Sequence, residues 1–302
     1  MAGFESKLGR KFAPIYHSSR GEGNCLVKLA ARPVPTFARG YPPWEPHVYF
    51  SACLLGTHAA ERLYEINYLA LWEWDTGTRT LLGVQGSHQW DTERCAVLVA
   101  GPSDSRDPAS FTARQVYYAA HEGVRIGPWS VDNSRYLKYR RWRSDGPNVY
   151  WSKGKHASFV NLGELRQSSA SDSYDKPGRV AQPGRYELVD AGTLQNPSSD
   201  CPWIAFTKGW GEQGISPVYE KLKSRLWDES GRPLRPIRRL TEDEVKDAQM
   251  ELDVKPSGQF DEHTLERAVA RLPSDQVWAT GKISDAEAEL MADRGIKVSR
   301  LM

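Results

Sequence analysis

The stretch Glu65 to Trp74, EINYLALWEW, indicates how this chain folds. Isoleucine, tyrosine and tryptophan recur in it, and β-strands prefer such β-branched and aromatic residues. Apolar segments of the same kind lie on both sides, each ended by glycine, proline, aspartate or serine. They are His47 to Leu55, Cys95 to Ala100, Val116 to Ala120, Asn148 to Trp151 and Tyr186 to Val189. Many short strands separated by turn residues predict a mainly β protein with an antiparallel sandwich or jelly roll.

The pattern changes near residue 228 of the 302-residue chain. Residues 1–228 hold ten of the eleven tryptophans and form the predicted β-sandwich domain, with short helices at Leu162 to Gln167 and Val218 to Trp227. Residues 229–239 are rich in proline and arginine and read as a linker. Capping boxes that begin at Thr241 and Ser284 then predict a three-helix module over residues 240–302.

Composition disfavours several classes of protein. The formal net charge is only +2, so nucleic acid is not an expected partner, although Lys138 to Arg143 interleaves basic and aromatic residues. No apolar run approaches the ~20 residues that span a bilayer, so we do not expect an integral membrane protein. The first residues lack the apolar core of a signal peptide, which favours a cytoplasmic protein, with non-classical release as the alternative.

Three polar segments next to predicted strands contain the candidate site. Asp91 and Glu93 lie two apart, so on a strand both carboxylates project to the same side. Two close carboxylates repel each other unless a cation lies between them. His121 and His156 follow other predicted strands. These four residues are the predicted metal ligands, although a rim salt bridge to Arg94, Arg114 or Lys155 would also satisfy the carboxylates.

A set of oxygen and imidazole ligands suits a divalent cation, namely Mg²⁺, Ca²⁺, Mn²⁺ or Zn²⁺. No P-loop or glycine-rich dinucleotide motif is present, so we expect no organic cofactor. Further candidate binding residues are Trp90, Lys153, Lys155, Asp190 and Trp210. Core packing is the alternative role for Trp210. His88 lies in a segment that reads as an exposed loop, which gives it a weaker case.

Several motifs in series resemble a known family. Trp90-Asp91-x-Glu93, His121 and the Val149 to Ser158 segment, followed by Val189 to Gly192, Gly209-Trp210-Gly211 and Ser216 to Val218, are similar to the vacuolar-protein-sorting-associated domain family. The resemblance covers roughly residues 10–228 and implies an architecture more than an activity. The segment Gly86 to Glu93 more distantly resembles the signature of the Nep-like necrosis-inducing proteins, with Trp and Asp exchanged and one residue inserted. That likeness implies a β-sandwich that holds a cation and binds lipid head groups.

The C-terminal segment resembles a peptidoglycan-binding module. The matching positions are Val245, Gln249, Leu252, Val254, Gly258, Phe260, Thr264, Ala268 and Val269. This resemblance implies a cell-wall ligand, while docking on the sandwich domain or on a protein partner is the alternative that we favour because Asp261 replaces the usual glycine.

Two functions remain open from the sequence. The first is a toxin-like or recognition protein whose cation cleft engages a glycan or a lipid head group. The second is a metal-dependent hydrolase, in which Glu93 or His121 would be the catalytic residue that activates a bound water. The sequence contains no Gly-x-Ser-x-Gly elbow and no complete catalytic signature, so whether the protein is an enzyme stays open.

Overall fold

The computed structural model describes residues 3–234, apart from 77, 81, 82, 86, 121, 123, 124, 127, 128, 131–133, 140–145, 168–171, 173, 175 and 211–215. Most of the predicted linker and the whole predicted helical module at 240–302 therefore lie outside the described residues. Both stay predictions.

The described part of the chain is mainly β. Its strands are β1 (Ile15–Ser19), β2 (Leu26–Leu29), β3 (Phe37–Tyr41), β4 (His47–His58), β5 (Glu61–Asp75), β6 (Thr78–Thr80), β7 (Gly83–Gln85), β8 (His88–Pro102), β9 (Thr112–Tyr118), β10 (Arg125–Ile126), β11 (Trp129–Ser130), β12 (Arg135–Lys138), β13 (Asn148–Trp151), β14 (Ser158–Phe159), β15 (Pro177–Ala181) and β16 (Glu187–Asp190). Its helices are α1 (Phe4–Lys11), α2 (Leu162–Gln167) and α3 (Pro217–Leu222), with 3-10 turns at Pro108–Ser110 and Pro202–Ala205. All six strand segments named from the sequence are confirmed as strands.

An eight-stranded sheet is built around β5. On one side β5 pairs with β8, which continues to β9 and β12, and on the other side it pairs with both β4 and β2. These pairs are antiparallel, as is β2 with β3, whereas β16 joins β4 in parallel. β5 can hold two partners on one edge because it is fifteen residues long, with β4 opposite its first part and β2 opposite Trp72.

A second sheet of four strands, in the order β14-β13-β1-β15, packs with α1 over one face of the large sheet. Large aromatic side chains fill the space between them. Trp151 of β13 stacks on Tyr16 of β1 with ring centroids 4.3 Å apart, and it meets Trp72 of β5 edge-on at 5.0 Å. Burial of such rings contributes strongly to stability, so the tryptophan-rich composition before residue 228 supplies this core.

The other face of the large sheet is covered by residues 191–210 and 216–227, which contain little regular structure. Trp203 packs edge-on against Tyr49 of β4 at 4.8 Å, and Trp210 packs against Trp203 at 5.8 Å. Trp210 is buried, so its ring packs within this layer, and its predicted binding role stays a prediction. The layer positions α3 over β8, next to the candidate site.

The predicted helix from Val218 to Trp227 is shorter in the structure and ends at Leu222. Ser216 caps it, since its hydroxyl accepts a hydrogen bond from the Tyr219 amide. The chain cannot stay helical because Leu226 donates its amide to the buried carboxylate of Glu65 at 2.8 Å. Trp227, fully buried, then forms a bridge with Pro233. These contacts hold the end of the irregular layer on the sheet.

We predict that His47 makes the fold sensitive to mild acid. Burial lowers the pKa of His47 to about 4 although the carboxylate of Glu187 lies 3.1 Å from its ring. The unfolded chain binds a proton near pH 6.5, so stability is fully present above that pH and falls as the pH drops towards 4. The expected loss between pH 7 and pH 5 is about 2 kcal/mol.

Urea unfolding at pH 7 and pH 5 measures this loss. His47→Gln should reduce the difference between the two pH values, whatever its effect on stability at pH 7. His58→Gln, a change at an exposed histidine, serves as the control. An equal pH dependence in the wild-type protein and His47→Gln would contradict the prediction.

Candidate metal centre

Three side chains at one end of the large sheet bring their ligand atoms together. Each of Asp75, His88 and Asp91 offers one atom, and these atoms all lie within 4.8 Å of one another. Asp75 and His88 face each other as partners at the end of the β5–β8 ladder, three positions beyond the pair Trp72 and Asp91. The long ladder therefore positions all three side chains. This group could hold a metal ion.

An unusual backbone conformation at Trp90 accompanies this convergence. Strict alternation along a strand would place His88 and Asp91, three residues apart, on opposite faces of the sheet. Trp90 has a φ of 62°, in the left-handed region that side chains other than glycine rarely adopt. The alternation is interrupted at this residue, so His88 and Asp91 serve the same site. Such strain costs about 1–3 kcal/mol and is concentrated at functional sites.

His156 holds Asp91 in place. Its Nδ1 atom lies 2.9 Å from Asp91 Oδ2, and its ring stacks on Trp72 with centroids 3.8 Å apart and planes 8° from parallel. Burial disfavours the charged ring, but the Asp91 and Glu22 carboxylates outweigh it and raise the pKa of His156 to about 9. The ring is therefore a buried cation at neutral pH.

The role of His156 as a metal ligand stays a prediction, and the structure shows this ring in other contacts. Both ring nitrogens face carboxylates, since Nε2 lies 3.5 Å from Glu22 Oε2 while Nδ1 bonds to Asp91. A metal ligand needs an unprotonated nitrogen directed at the cation. In this structure His156 instead orients a carboxylate of the group, as outer-shell residues do at metal sites.

Asp91 and Glu93 are both buried, but their pKa values shift in opposite directions. Burial raises the pKa of Asp91, but the hydrogen bond from His156 and its charge outweigh burial, so the pKa lies below its ordinary value. Burial, with the neighbouring Asp91 charge, holds the pKa of Glu93 well above its ordinary value. The protein therefore favours the ionised form of Asp91 and the protonated form of Glu93, relative to ordinary carboxyl groups. Glu93 Oε2 has no hydrogen-bond partner among the described residues.

Arg94, the residue after Glu93, belongs to a buried ion pair. The Arg94 guanidinium bonds to the Glu122 carboxylate, and Lys221 Nζ of α3 lies 3.7 Å from Glu122 Oε2. Arg114 pairs with Glu61 instead. The alternative in which Arg94 or Arg114 forms a salt bridge with Asp91 or Glu93 is therefore not observed, because both guanidinium groups have other partners.

The remaining predicted residues lie in different places. His121 is outside the described residues, so its role stays a prediction. Lys153 and Lys155 lie in the turn that also contains His156, with Lys155 buried. Trp90 packs between Phe37 and Trp210, at 6.3 Å and 6.5 Å. Asp190 ends β16, which β4 and β5 separate from β8, and its carboxylate accepts the Gly192 amide at 3.0 Å.

Sequence reasoning missed Asp75 and Glu22 and gave His88 too little weight. His88 opens β8 rather than lying in a loop, and its side chain is 30% exposed. Asp75 follows the apolar segment that predicted β5 by one residue. The available signal was the polar pair of Asp75 and His88 at the end of two long strands. This pair can be recognised only when the β5–β8 register is known, and the sequence alone does not give that register.

Comparisons with known proteins assign no family to this chain. No family model matches it, and neither the curated proteins nor the solved structures gave a significant match. The resemblances to the vacuolar-protein-sorting-associated, necrosis-inducing and peptidoglycan-binding families therefore stay predictions. None of the described helices has the length and apolar character needed to cross a membrane.

We predict that Glu93→Gln stabilises the protein. Glutamine keeps the shape but removes a carboxyl group whose pKa is raised by burial and by the neighbouring Asp91 charge. Because the folded pKa is raised, the penalty grows as the pH rises above the ordinary carboxyl pKa of about 4.3. Glu93→Gln should gain about 1–2 kcal/mol at pH 8 and less at pH 5, measured by urea unfolding.

Glu65→Gln is the matched control for this prediction. Glu65 is also a buried carboxyl group on the same sheet, but its oxygens accept hydrogen bonds from Asn67 and Leu226, both at 2.8 Å. A glutamine there turns its NH₂ group towards a donor, so this variant should lose stability. If Glu93→Gln is as destabilising as Glu65→Gln, the description of the Glu93 environment is wrong.

Proposed function

We propose that this protein is a cation-dependent recognition protein, in which a divalent ion at Asp75, His88 and Asp91 engages an oxygen-bearing ligand such as a glycan or a lipid head group. The observation that carries this proposal is the convergence of the three ligand atoms within 4.8 Å. Three protein ligands leave coordination positions for a ligand or water. His88 is partly exposed, so a ligand has a route to the ion.

The donor set indicates which ions fit. Two carboxylates and one imidazole suit Mn²⁺ or Zn²⁺ better than Ca²⁺ or Mg²⁺, which prefer oxygen alone. The ionised Asp91 is ready to bind a cation without losing a proton, because His156 already stabilises its charge. Two of the three residues are buried, so water competes only weakly for the ion.

An aromatic surface next to the site supports a glycan or lipid ligand. Phe37 of β3 is 46% exposed and lies beside Trp90, which directly precedes Asp91. Exposed aromatic rings bind the apolar faces of sugars and the interfacial region of lipids. The packing of the four-stranded sheet on the eight-stranded sheet further supports the predicted β-sandwich class, which commonly presents binding sites at its ends.

A metal-dependent hydrolase is the second candidate, and one observation favours it. Glu93 is buried two residues from Asp91, its pKa is held well above the ordinary value, and one of its carboxyl oxygens has no hydrogen-bond partner among the described residues. A carboxylic acid with a raised pKa next to a metal-bound water can donate a proton to a leaving group. His121 stays the other predicted catalytic residue.

We predict that the full-length protein binds Mn²⁺ or Zn²⁺ with one site per chain, measured by isothermal titration calorimetry. His88→Gln and Asp75→Asn should weaken binding by about 100-fold or more, since loss of a ligand exceeds the ~10–100-fold typical of outer-shell changes. His58→Gln should bind as the wild-type protein does. Unchanged affinity in both ligand variants would exclude this site.

A second measurement separates recognition from hydrolysis. Release of dye from liposomes and binding to a glycan array should depend on the added ion and be abolished by a chelator, while Glu93→Gln keeps binding. Phosphoesterase and glycosidase substrates should not be turned over. Chelator-sensitive turnover that Glu93→Gln abolishes would instead establish the hydrolase, and the ranking of the two candidates would reverse.

A further inference from the structure

The turn between β13 and β14, residues 152–157, contacts both strands that supply the candidate metal centre. His156 bonds to Asp91 at 2.9 Å. The carbonyl oxygen of Gly154 accepts hydrogen bonds from the amide and the hydroxyl group of Thr76, at 2.8 Å and 3.1 Å. Thr76 directly follows Asp75. One turn therefore holds the end of β5 and the start of β8 in relation to each other.

The Glu22 carboxylate contacts this turn at two of its residues, Gly154 and His156. Its Oε2 atom accepts the Gly154 amide at 2.6 Å and lies 3.5 Å from His156 Nε2, while Oε1 accepts the Asn24 amide at 2.8 Å. The Glu22 side chain is only 4% exposed. A buried carboxylate with three such partners has a single favourable position.

We propose that Glu22 is a positioning residue, which acts through Gly154 and His156 to fix the two carboxylates Asp75 and Asp91 at the separation that a divalent cation needs. This inference rests on the proposed cation site. Glu22 bonds to the turn, and the turn bonds to Asp91 and to the residue after Asp75, so the effect of Glu22 on the cation is transmitted through the turn.

The backbone of the turn supports this role. Gly154 has a φ of 74° and His156 a φ of 57°, so two residues of one turn adopt the left-handed conformation. A methyl group at Gly154 would come within 2.3 Å of Thr76 Oγ1. Glycine is therefore required twice, for the conformation and for the close approach to Thr76. A strained turn persists only where surrounding contacts determine it, and Glu22 supplies those contacts.

The test uses the full chain with Glu22→Gln and Gly154→Ala, and Gly184→Ala as the matched control. Gly184 has a φ of 82°, but a methyl group there would meet nothing within 4 Å, so its change brings similar backbone strain without a contact at the site. Mn²⁺ affinity is measured by calorimetry together with the unfolding temperature. Glu22→Gln and Gly154→Ala should bind about 10–100-fold more weakly, and Gly184→Ala as the wild-type protein does.

A spectroscopic signature separates positioning from a loss of stability. In ¹⁵N-labelled protein, the His156 ring nitrogens should shift in Glu22→Gln while the variant remains folded. Equal Mn²⁺ affinity in the wild-type protein and Glu22→Gln, or an unshifted His156 ring, would overturn this inference and leave the cation site standing. Absence of Mn²⁺ and Zn²⁺ binding by the wild-type protein would instead refute the proposed function, and the inference with it.

Discussion

The antiparallel pairing of β5 with β8 runs from Glu61 and Pro102 at one end to Asp75 and His88 at the other. In its middle, one face is mostly apolar and packs under the four-stranded sheet, whereas the other face packs against two further apolar clusters and also buries Glu65, Asn67 and Arg94. Its end is polar and supplies the candidate metal ligands. The ladder thus stabilises the fold and sets the register of the site, since a slip of one residue would turn every side chain to the opposite face.

The charges near this end of the ladder are only partly compensated by one another. Asp91 is compensated by the His156 imidazolium, and the Arg94 guanidinium by Glu122. Glu93 has neither a cationic partner at hydrogen-bond distance nor a hydrogen bond to Oε2 among the described residues. Burial of a carboxyl group without such partners is unfavourable, and an apolar or amide side chain at this position would give a larger free energy of unfolding. A cation near these carboxylates would offset that cost.

Particular residues mark the limit of prediction from sequence. The Glu65 to Trp74 and Asn148 to Trp151 segments were recognisable as strands because burial on a sheet demands apolar, β-branched and aromatic side chains. The pair of Asp91 and Glu93 on one face also followed from alternation. His88 received less weight because its segment reads as an exposed loop. The left-handed φ of Trp90, which interrupts the alternation, is not evident from the local sequence.

The amino-acid sequence by itself determined the mainly β class, the position of most strands and the face on which Asp91 and Glu93 lie, since each depends on the local periodicity of side chains. Only the tertiary structure decided which groups meet at the site. Asp75 comes from β5, His156 from a turn 65 residues beyond Asp91, and Glu22 from a loop near the start of the chain. Such contacts depend on strand register and on the docking of one turn, and those are set by packing between distant segments.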